Sequence, residues 1–362
     1  MGMRFCVVAL LLNALALAET PVRASDLVGM MTEDLAVDRN DARMARGLGS
    51  VRLTEQLSGE TVEMLQRMGV GRRTLHELRS MSHKSAGLPA PAQPPLSLDP
   101  QPSPAERAAM IESMRRYAAS YLANLPDFMC VRDAREFRTK ILVPFGGTFG
   151  ATALIPADER RWRAHGSYTA EASYVGGSDH YRLTLEDGRP TTKTFEQLQR
   201  KVSSGEFAGA MKEVFSSGPS FRWDRWETIG GLRTVVFTYY VDPEHSGYWL
   251  CCPRFVTAHR GFVYADPQSG AIWRIVIYAT GLKGKEAVSA AGHVVDYGEV
   301  LIGGNRYLLP EKSAAYNRTS NEEWREDVVY RDYRKFGSDA TVAFPTADEP
   351  AKPAPAASSN HP

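Results

Sequence analysis

RGFVYADPQSGAIWRIVIYA, residues 260–279, is the stretch whose reading decides the fold. Arg260 to Ala265 and Ala271 to Ala279 are rich in β-branched and aromatic side chains, while Asp266-Pro267-Gln268-Ser269-Gly270 holds residue types that reverse a chain within a few positions. The segment predicts strand, tight loop, strand. Side-chain alternation puts Trp273, Ile275 and Ile277 on one face and Arg274, Val276 and Tyr278 on the other.

The same pattern extends in both directions. Downstream, Val294 to Ile302 turns at Gly303-Gly304-Asn305, returns through Tyr307 to Tyr316, and is followed by a last strand, Trp324 to Arg334. Upstream, Phe221 to Thr228 and Leu232 to Val241 flank Gly230-Gly231, with Val235, Phe237, Tyr239 and Val241 on one face. Tyr168 to Val175 and His180 to Glu186 flank Gly176-Gly177. Connections this short predict antiparallel pairing in a meander. Helical spacing returns only at Phe195, Leu198 and Val202, then at Phe207, Met211, Val214 and Phe215, predicting two short helices broken near Gly205. A longer helix opens the domain at Pro104 and runs to Leu125. Ser103 is its N-cap, Glu106 closes a capping box, and Met110, Met114, Tyr117, Tyr121 and Leu122 form its apolar stripe.

The flanks are different. Arg4, the apolar run Phe5 to Leu17 and the small-x-small pattern Ala16-Leu17-Ala18 predict a cleaved export signal over 1–18, because the run is too short for a permanent span. No later stretch is apolar and long enough to cross a membrane. Residues 19–52 are expected to be loosely ordered. Residues 53–82 predict a module of two short helices, with Ser58 and Thr61 as N-caps and Gly69-Val70-Gly71 as the break. Residues 83–103 read as a proline-rich linker, 104–344 as the main domain, and 345–362 as a disordered tail.

Composition narrows the function. The 362 residues are 43% hydrophobic, and Lys+Arg 43 against Asp+Glu 42 leaves a net charge of +1, no surface built for nucleic acid or an anionic membrane. Export makes Cys130, Cys251 and Cys252 candidates for a disulfide, Cys130 with one of the adjacent pair or the adjacent two with each other, and one thiol is left over in either case.

Val263-Tyr264-Ala265-Asp266-Pro267-Gln268-Ser269-Gly270-Ala271-Ile272-Trp273-Arg274 resembles a hairpin of the LolA/LolB-like superfamily of outer-membrane lipoprotein-sorting proteins. Asp296-Tyr297-Gly298-Glu299-Val300 and Gly303 to Pro310 resemble later strands of that fold. The likeness covers residues 104 to 336 and is shared with exported bacterial proteins of this layout. It implies an α+β domain, a curled antiparallel half-barrel with helices on its concave side. It also implies a periplasmic or extracellular place and a groove for a hydrophobic ligand, lipid or envelope protein. The bland reading makes Trp223, Trp226, Phe237, Tyr239 and Trp273 plain core.

Chemistry is sparse. Zinc-protease, nucleophile-elbow, phosphate-loop and Cys-x-x-Cys patterns are all missing, so no catalytic residue and no cofactor is assigned. His245, Cys251, Cys252 and His259 are metal-ligating types at the wrong spacing for a structural zinc site, and no metal is expected. The acid pairs Asp179-His180, Glu186-Asp187 and Glu322-Glu323 fall at strand ends and read as solvated. Leu65 to Leu75 resembles a helix-hairpin-helix turn, which implies that amides near Gly69 and Gly71, helped by Arg72 and Arg73, could meet a DNA phosphate. From Arg43 to Lys84 eight basic side chains face four acidic ones. The expectation is a non-catalytic binding protein, with docking through the helical pair or weak DNA contact as alternatives and the oligomeric state open.

Overall fold

A computed structural model describes residues 20–37, 41–97, 99–144, 152–154, 162–198, 202–216, 218–250, 255–282 and 288–336. The expected signal, the tail, Cys251 and Cys252 lie outside these residues.

The main domain is one antiparallel sheet. Its strands, in chain order, are β1 (Leu96–Ser97), β2 (Phe128–Lys140), β3 (Arg163–Val175), β4 (Ser178–Glu186), β5 (Arg189–Pro190), β6 (Ser220–Ile229), β7 (Leu232–Val241), β8 (Ala258–Ala265), β9 (Ile272–Thr280), β10 (Val288–Ile302), β11 (Asn305–Thr319) and β12 (Glu322–Lys335). In space the order is β1-β6-β7-β8-β9-β10-β11-β12-β2-β3-β4-β5, and the two ends do not pair, so the sheet is open. The late meander is the expected one. The chain touches the sheet first at one edge with the short β1, passes through the helix Pro104–Asn124 to β2 inside the sheet, finishes the other end with β3 to β5, and returns beside β1 to start β6.

Helices α5 (Pro104–Asn124) and α6 (Gly209–Ser216) cover one face of the sheet, here the inner face. The capping box at Ser103 and Glu106 forms as expected. Of the two helices expected over 195–215 the second forms as α6; of the first, Phe195 to Leu198 makes a turn closed by Leu198 N–H to Thr194 O, and residues 199–201 lie outside the described residues. Val235, Phe237, Tyr239 and Val241 share the inner face as read. Trp273 does not join Ile275 and Ile277. Tyr264 pairs with Arg274 and Ala265 with Ile272, so a bulge at Trp273 puts Ile272 on the inner face and turns the indole toward Val276 and Tyr278 on the outer one.

The outer face carries the N-terminal part, and this corrects the expectation of loose order over 19–52. Residues 24–37 form α1 and 41–48 form α2, with a parallel pair of short strands, Thr20–Val22 on Val51–Leu53. Together with α3 (Gly59–Arg67) and α4 (Arg72–Lys84) they enclose a core of their own, including Leu27, Val28, Met31, Leu48, Leu57, Leu65 and Leu78. Leu57, Leu65 and Leu78 fall at the helical spacing that predicted the pair over 53–82, whereas Leu27, Val28, Met31 and Leu48 join the same core from the stretch expected to be loosely ordered. The Thr32 hydroxyl on α1 donates to Glu227 at 2.9 Å, fixing the module to β6.

Of the proline-rich residues 83–103, His83 and Lys84 end α4, and 94–97 with 99–100 are laid along the sheet edge. Prolines lack the amide but keep the carbonyl. Pro95 O accepts from Thr228 N at 2.8 Å, Pro94 O from its hydroxyl at 2.9 Å, and Pro100 O from the Trp226 indole at 3.2 Å. The segment thus satisfies donors of β6 while offering few of its own to a further strand. Leu96 is buried in the N-terminal core and joins the two halves.

Candidate binding face and the buried network beside it

The inner face is apolar where α5 lies on it. Met114 and Ala118 are fully buried against Val235, Phe237, Val263, Ile275, Ile277, Val295 and Tyr297; Met110, Ile111, Tyr117, Tyr121 and Leu122 are half-buried at the rim. Arg107 and Ser113 are half-buried as well, and the remaining residues of this 21-residue helix face solvent. Among the described residues its polar ties to the sheet side are few: Tyr121 donates to Phe207 O at 2.7 Å and Arg115 to Pro219 O at 3.4 Å. The hairpin that decided the fold supplies the seat. Gly270 has φ +75°, and a Cβ built there would stand 2.4 Å from the Ser113 carbonyl carbon and 2.6 Å from Met114 N, so the α5 backbone rests directly on the Asp266–Gly270 loop.

Beside this strip the inner face turns polar. Arg132 on β2 is fully buried, as are Glu206 and, on β12, Glu326. Arg132 donates to Glu326 at 3.1 Å and stands 3.5 Å from Glu206. Tyr168 accepts from Arg132 and donates to Glu326 at 2.5 Å, and Tyr181 donates to Glu206 at 3.0 Å. The Ser203 amide donates to Glu326 at 2.9 Å; its hydroxyl lies 2.6 Å from Glu326 and 2.7 Å from Glu206. His293 Nε2 is 3.8 Å from Glu206. Burial raises the Glu326 carboxyl against the pull of Arg132 and Ser203. For Glu206 the same burial is outweighed by Arg132, His293 and Ser203, and its carboxyl sits below the usual range. Asp179, expected to be solvated, is pushed up to about 6 by burial and by Glu206. None of this was visible as a motif, since the partners are separated by up to 194 positions.

A second unforeseen constellation ties down the loop before the Trp249–Leu250 strand. Ser246 Oγ is 3.1 Å from His259 Nδ1, and His259 Nε2 is 3.6 Å from Glu213. A Ser-His-Glu set invites a hydrolase reading, but the hydroxyl donates to Thr257 O at 2.8 Å and accepts from Tyr248 N at 3.0 Å, while Gly247 N is held by Glu213. The proton is directed at a carbonyl and the nearby amides are engaged. Burial lowers His259 to about 4. His245, by contrast, is exposed and bonded to Asp242, so the two histidines of the candidate metal set serve different ends; among the described residues no three ligating side chains converge. Cys130 is a buried thiol in the inner-face core, with no sulfur partner among the described residues. Glu186 pairs with Lys193 at 2.7 Å, Asp187 accepts from Ser167 N, and Glu323 is buried on Arg318.

The Gly69–Gly71 turn forms as expected, with Gly69 at φ +98° and Gly71 capping α4. Two amides of the first α4 turn beside it, however, are taken. Asp41 accepts from Arg73 N at 2.9 Å and from Thr74 N at 2.8 Å, and binds the Thr74 hydroxyl. A carboxylate of the chain itself occupies the place a phosphate would need, and Gly71 is glycine because a Cβ would collide with Asp41 at 2.2 Å. Desolvation opposes ionisation, but the Thr74 and Arg73 hydrogen bonds win and hold the Asp41 carboxyl below its usual range. Asp41→Ala is expected to cost about 1 kcal/mol, the ordinary worth of a helix cap. The wild-type advantage, present above the unfolded carboxyl's pKa, fades as pH falls through the lowered one. Thermal melts of both proteins at neutral and acid pH check this; equal melting at neutral pH refutes it.

No protein-family model and no curated protein sequence matches this chain. Solved structures match it at low similarity. A domain described as an outer membrane lipoprotein-sorting protein domain, from Vibrio parahaemolyticus, is 12% identical, with 61% of this chain and 90% of that one covered and a TM-score of 0.26. A DUF1329 family protein from Desulfovibrio piger is 9% identical over 65% and 94%, TM-score 0.28. The MucA/MucB complex of Pseudomonas aeruginosa contains a chain 9% identical over 61% and 93%, TM-score 0.17. The first is of the kind that the Val263–Arg274 hairpin resembles.

Proposed function

We propose that this is a non-catalytic exported binding protein that takes an apolar ligand, the acyl chains of an envelope lipid, on the inner face of its open sheet in exchange for α5. The observation that carries this is α5 itself. A 21-residue helix with two buried residues and two long-range polar ties lies along an apolar strip that includes the fully buried Phe237, Val263 and Ile275. A strip that holds an amphipathic rod of this kind mainly through side-chain packing has the shape and polarity to hold acyl chains instead. The strand-to-strand pairing of the twelve-stranded sheet does not run through α5.

The test is native mass spectrometry of the exported protein purified without detergent, followed by organic extraction. The expected result is a reproducible co-purified lipid, with faster hydrogen exchange in residues 104–124 when a fluorescent fatty acid is added to stripped protein. A clean apo mass together with no uptake of the fatty acid rejects the reading.

Docking of a protein partner through the N-terminal helices has one observation of its own. A cleft of about 590 Å³ opens between α2 and α4, lined by Ala42, Ala45 and Gly49 on one side and Arg72, Arg73 and His76 on the other.

A further inference from the structure

The Ser203 hydroxyl has one hydrogen and two carboxylate oxygens within 2.7 Å. Whichever oxygen it donates to, the other contact sets two lone pairs face to face unless that carboxyl carries a proton. The remaining donors do not resolve the conflict. Tyr168 O–H and Ser203 N–H are directed at Glu326, Tyr181 O–H goes to the other oxygen of Glu206, and Arg132 reaches Ser203 Oγ at 2.9 Å as a donor, which leaves the hydroxyl still one hydrogen short. One guanidinium, moreover, faces two carboxyls in a core from which water is excluded.

We infer that Glu206 and Glu326 share one bound proton across Ser203, and that this proton latches residues 202–208, and with them α6 and α5, onto the inner face. The linkage is covalent and short. Ser203 and Glu206 belong to the segment; Arg132 and Glu326 belong to the sheet. Phe207 O accepts the Tyr121 hydroxyl of α5, and α6 begins at Gly209. The groups facing the pair are Arg132 on β2, Tyr168 on β3, Tyr181 and Asp179 on β4, His293 on β10 and Tyr330 on β12. Arg132 is the fixed cation among them. His293 is held toward its neutral form by burial, although Glu206 and Glu326 pull it the other way.

The direction follows from the proton's place. A folded state that holds a proton longer than the unfolded chain is stabilised below the unfolded pKa and loses that stabilisation as pH rises through the folded one. The latch is therefore tight in acid and loosens toward alkaline pH. The inference rests on the inner face as the binding site, but its test needs no ligand.

Hydrogen exchange of residues 202–216, corrected for intrinsic rates, is followed from mildly acid to mildly alkaline pH. In the wild type the local opening constant rises with pH, by up to about tenfold per pH unit for one proton released. Glu206→Gln, whose amide nitrogen takes the place of the oxygen facing Ser203 and supplies the missing hydrogen while its carbonyl still accepts from Tyr181, stays protected and flat. An equal slope in both proteins, or none in the wild type, overturns the inference. Infrared difference spectroscopy gives a second readout that does not depend on the variant folding well. The wild type shows the stretch of a buried protonated carboxylic acid at neutral pH; its absence overturns the inference too. If lipid binding fails and the latch titrates as described, only the function proposed above falls.

Discussion

Arg132→Met lowers the unfolding free energy by about 3–5 kcal/mol at neutral pH, the usual cost of stripping one partner from a buried ion pair. Methionine fills much of the same space, so the loss is electrostatic more than steric. Two carboxyls, Glu206 and Glu326, are left in the core with no full cation beside them, and the Tyr168 hydroxyl loses its guanidinium neighbour. For a domain whose whole stability is about 5–15 kcal/mol, that is a large share. The pH dependence identifies the cause. In the wild type Glu206 is held below its usual range, with Arg132 the largest pull against burial. Without Arg132, burial is opposed only by the weaker pulls of Ser203 and, at Glu206, His293, and both carboxyls rise, so the variant regains stability as pH falls and loses it as pH rises. Adding Glu206→Gln and Glu326→Gln to Arg132→Met should restore a good part of the loss at neutral pH. Urea midpoints at two pH values decide the matter. A neutral-pH midpoint within error of the wild type would sink the assignment, as would a deficit that does not shrink in acid.

The same network explains what the sequence hid. Most strands announced themselves through turns and alternation: Gly176-Gly177, Gly230-Gly231, Gly270 and Gly303-Gly304 all have positive φ at the hairpins predicted for them. The central strand β2 did not. Along Phe128–Lys140 the buried positions include Arg132, Glu136 and Thr139, so the polar residues fall where alternation calls for apolar ones. A strand that carries its charge inward cannot be told from a solvated segment without its partners, and those arrive from β12 and from residues 203–206. The bulge at Trp273 escaped for a related reason: one extra residue reverses the face of the indole without any change in composition. The Asp41 cap on α4 joins positions 32 and 33 apart, beyond the reach of local capping rules.

Legibility therefore divides by range. Local signals placed the hairpins, the α5 capping box and the Gly69 turn. Long-range pairings decided how those parts are used: the turn binds a carboxylate of the chain itself, the prolines close a sheet edge, and the helix becomes a cover. Each use depends on a contact whose two ends give no sign of each other in the sequence.

Gly270→Ala tests the cover directly. The substitution adds one methyl group and carries two separable costs. The first is conformational, since φ +75° is left-handed backbone that an L side chain adopts at about 1–2 kcal/mol. The second is steric. The new Cβ would lie 2.4 to 2.6 Å from the Ser113 carbonyl and Met114 N, and because these are helix backbone atoms no rotamer change relieves the overlap. Either the hairpin distorts or α5 lifts, at about 1–3 kcal/mol for overpacking of this kind. Gly304→Ala supplies the control. Its φ is +85°, it sits in the analogous turn between β10 and β11, and nothing lies within 4 Å of its would-be Cβ, so it carries the first cost alone. The expected result is a larger loss of stability for Gly270→Ala, accompanied by faster hydrogen exchange along residues 104–124 and brighter binding of an apolar dye, neither of which Gly304→Ala produces. The helix is tied to the sheet side by few polar contacts, so lifting is the cheaper response, and it uncovers Phe237, Ile275 and Ile277. Equal stability losses with unchanged exchange in α5 would mean that the hairpin yields and the helix stays, and the inner face would then have no movable cover to exchange for a ligand.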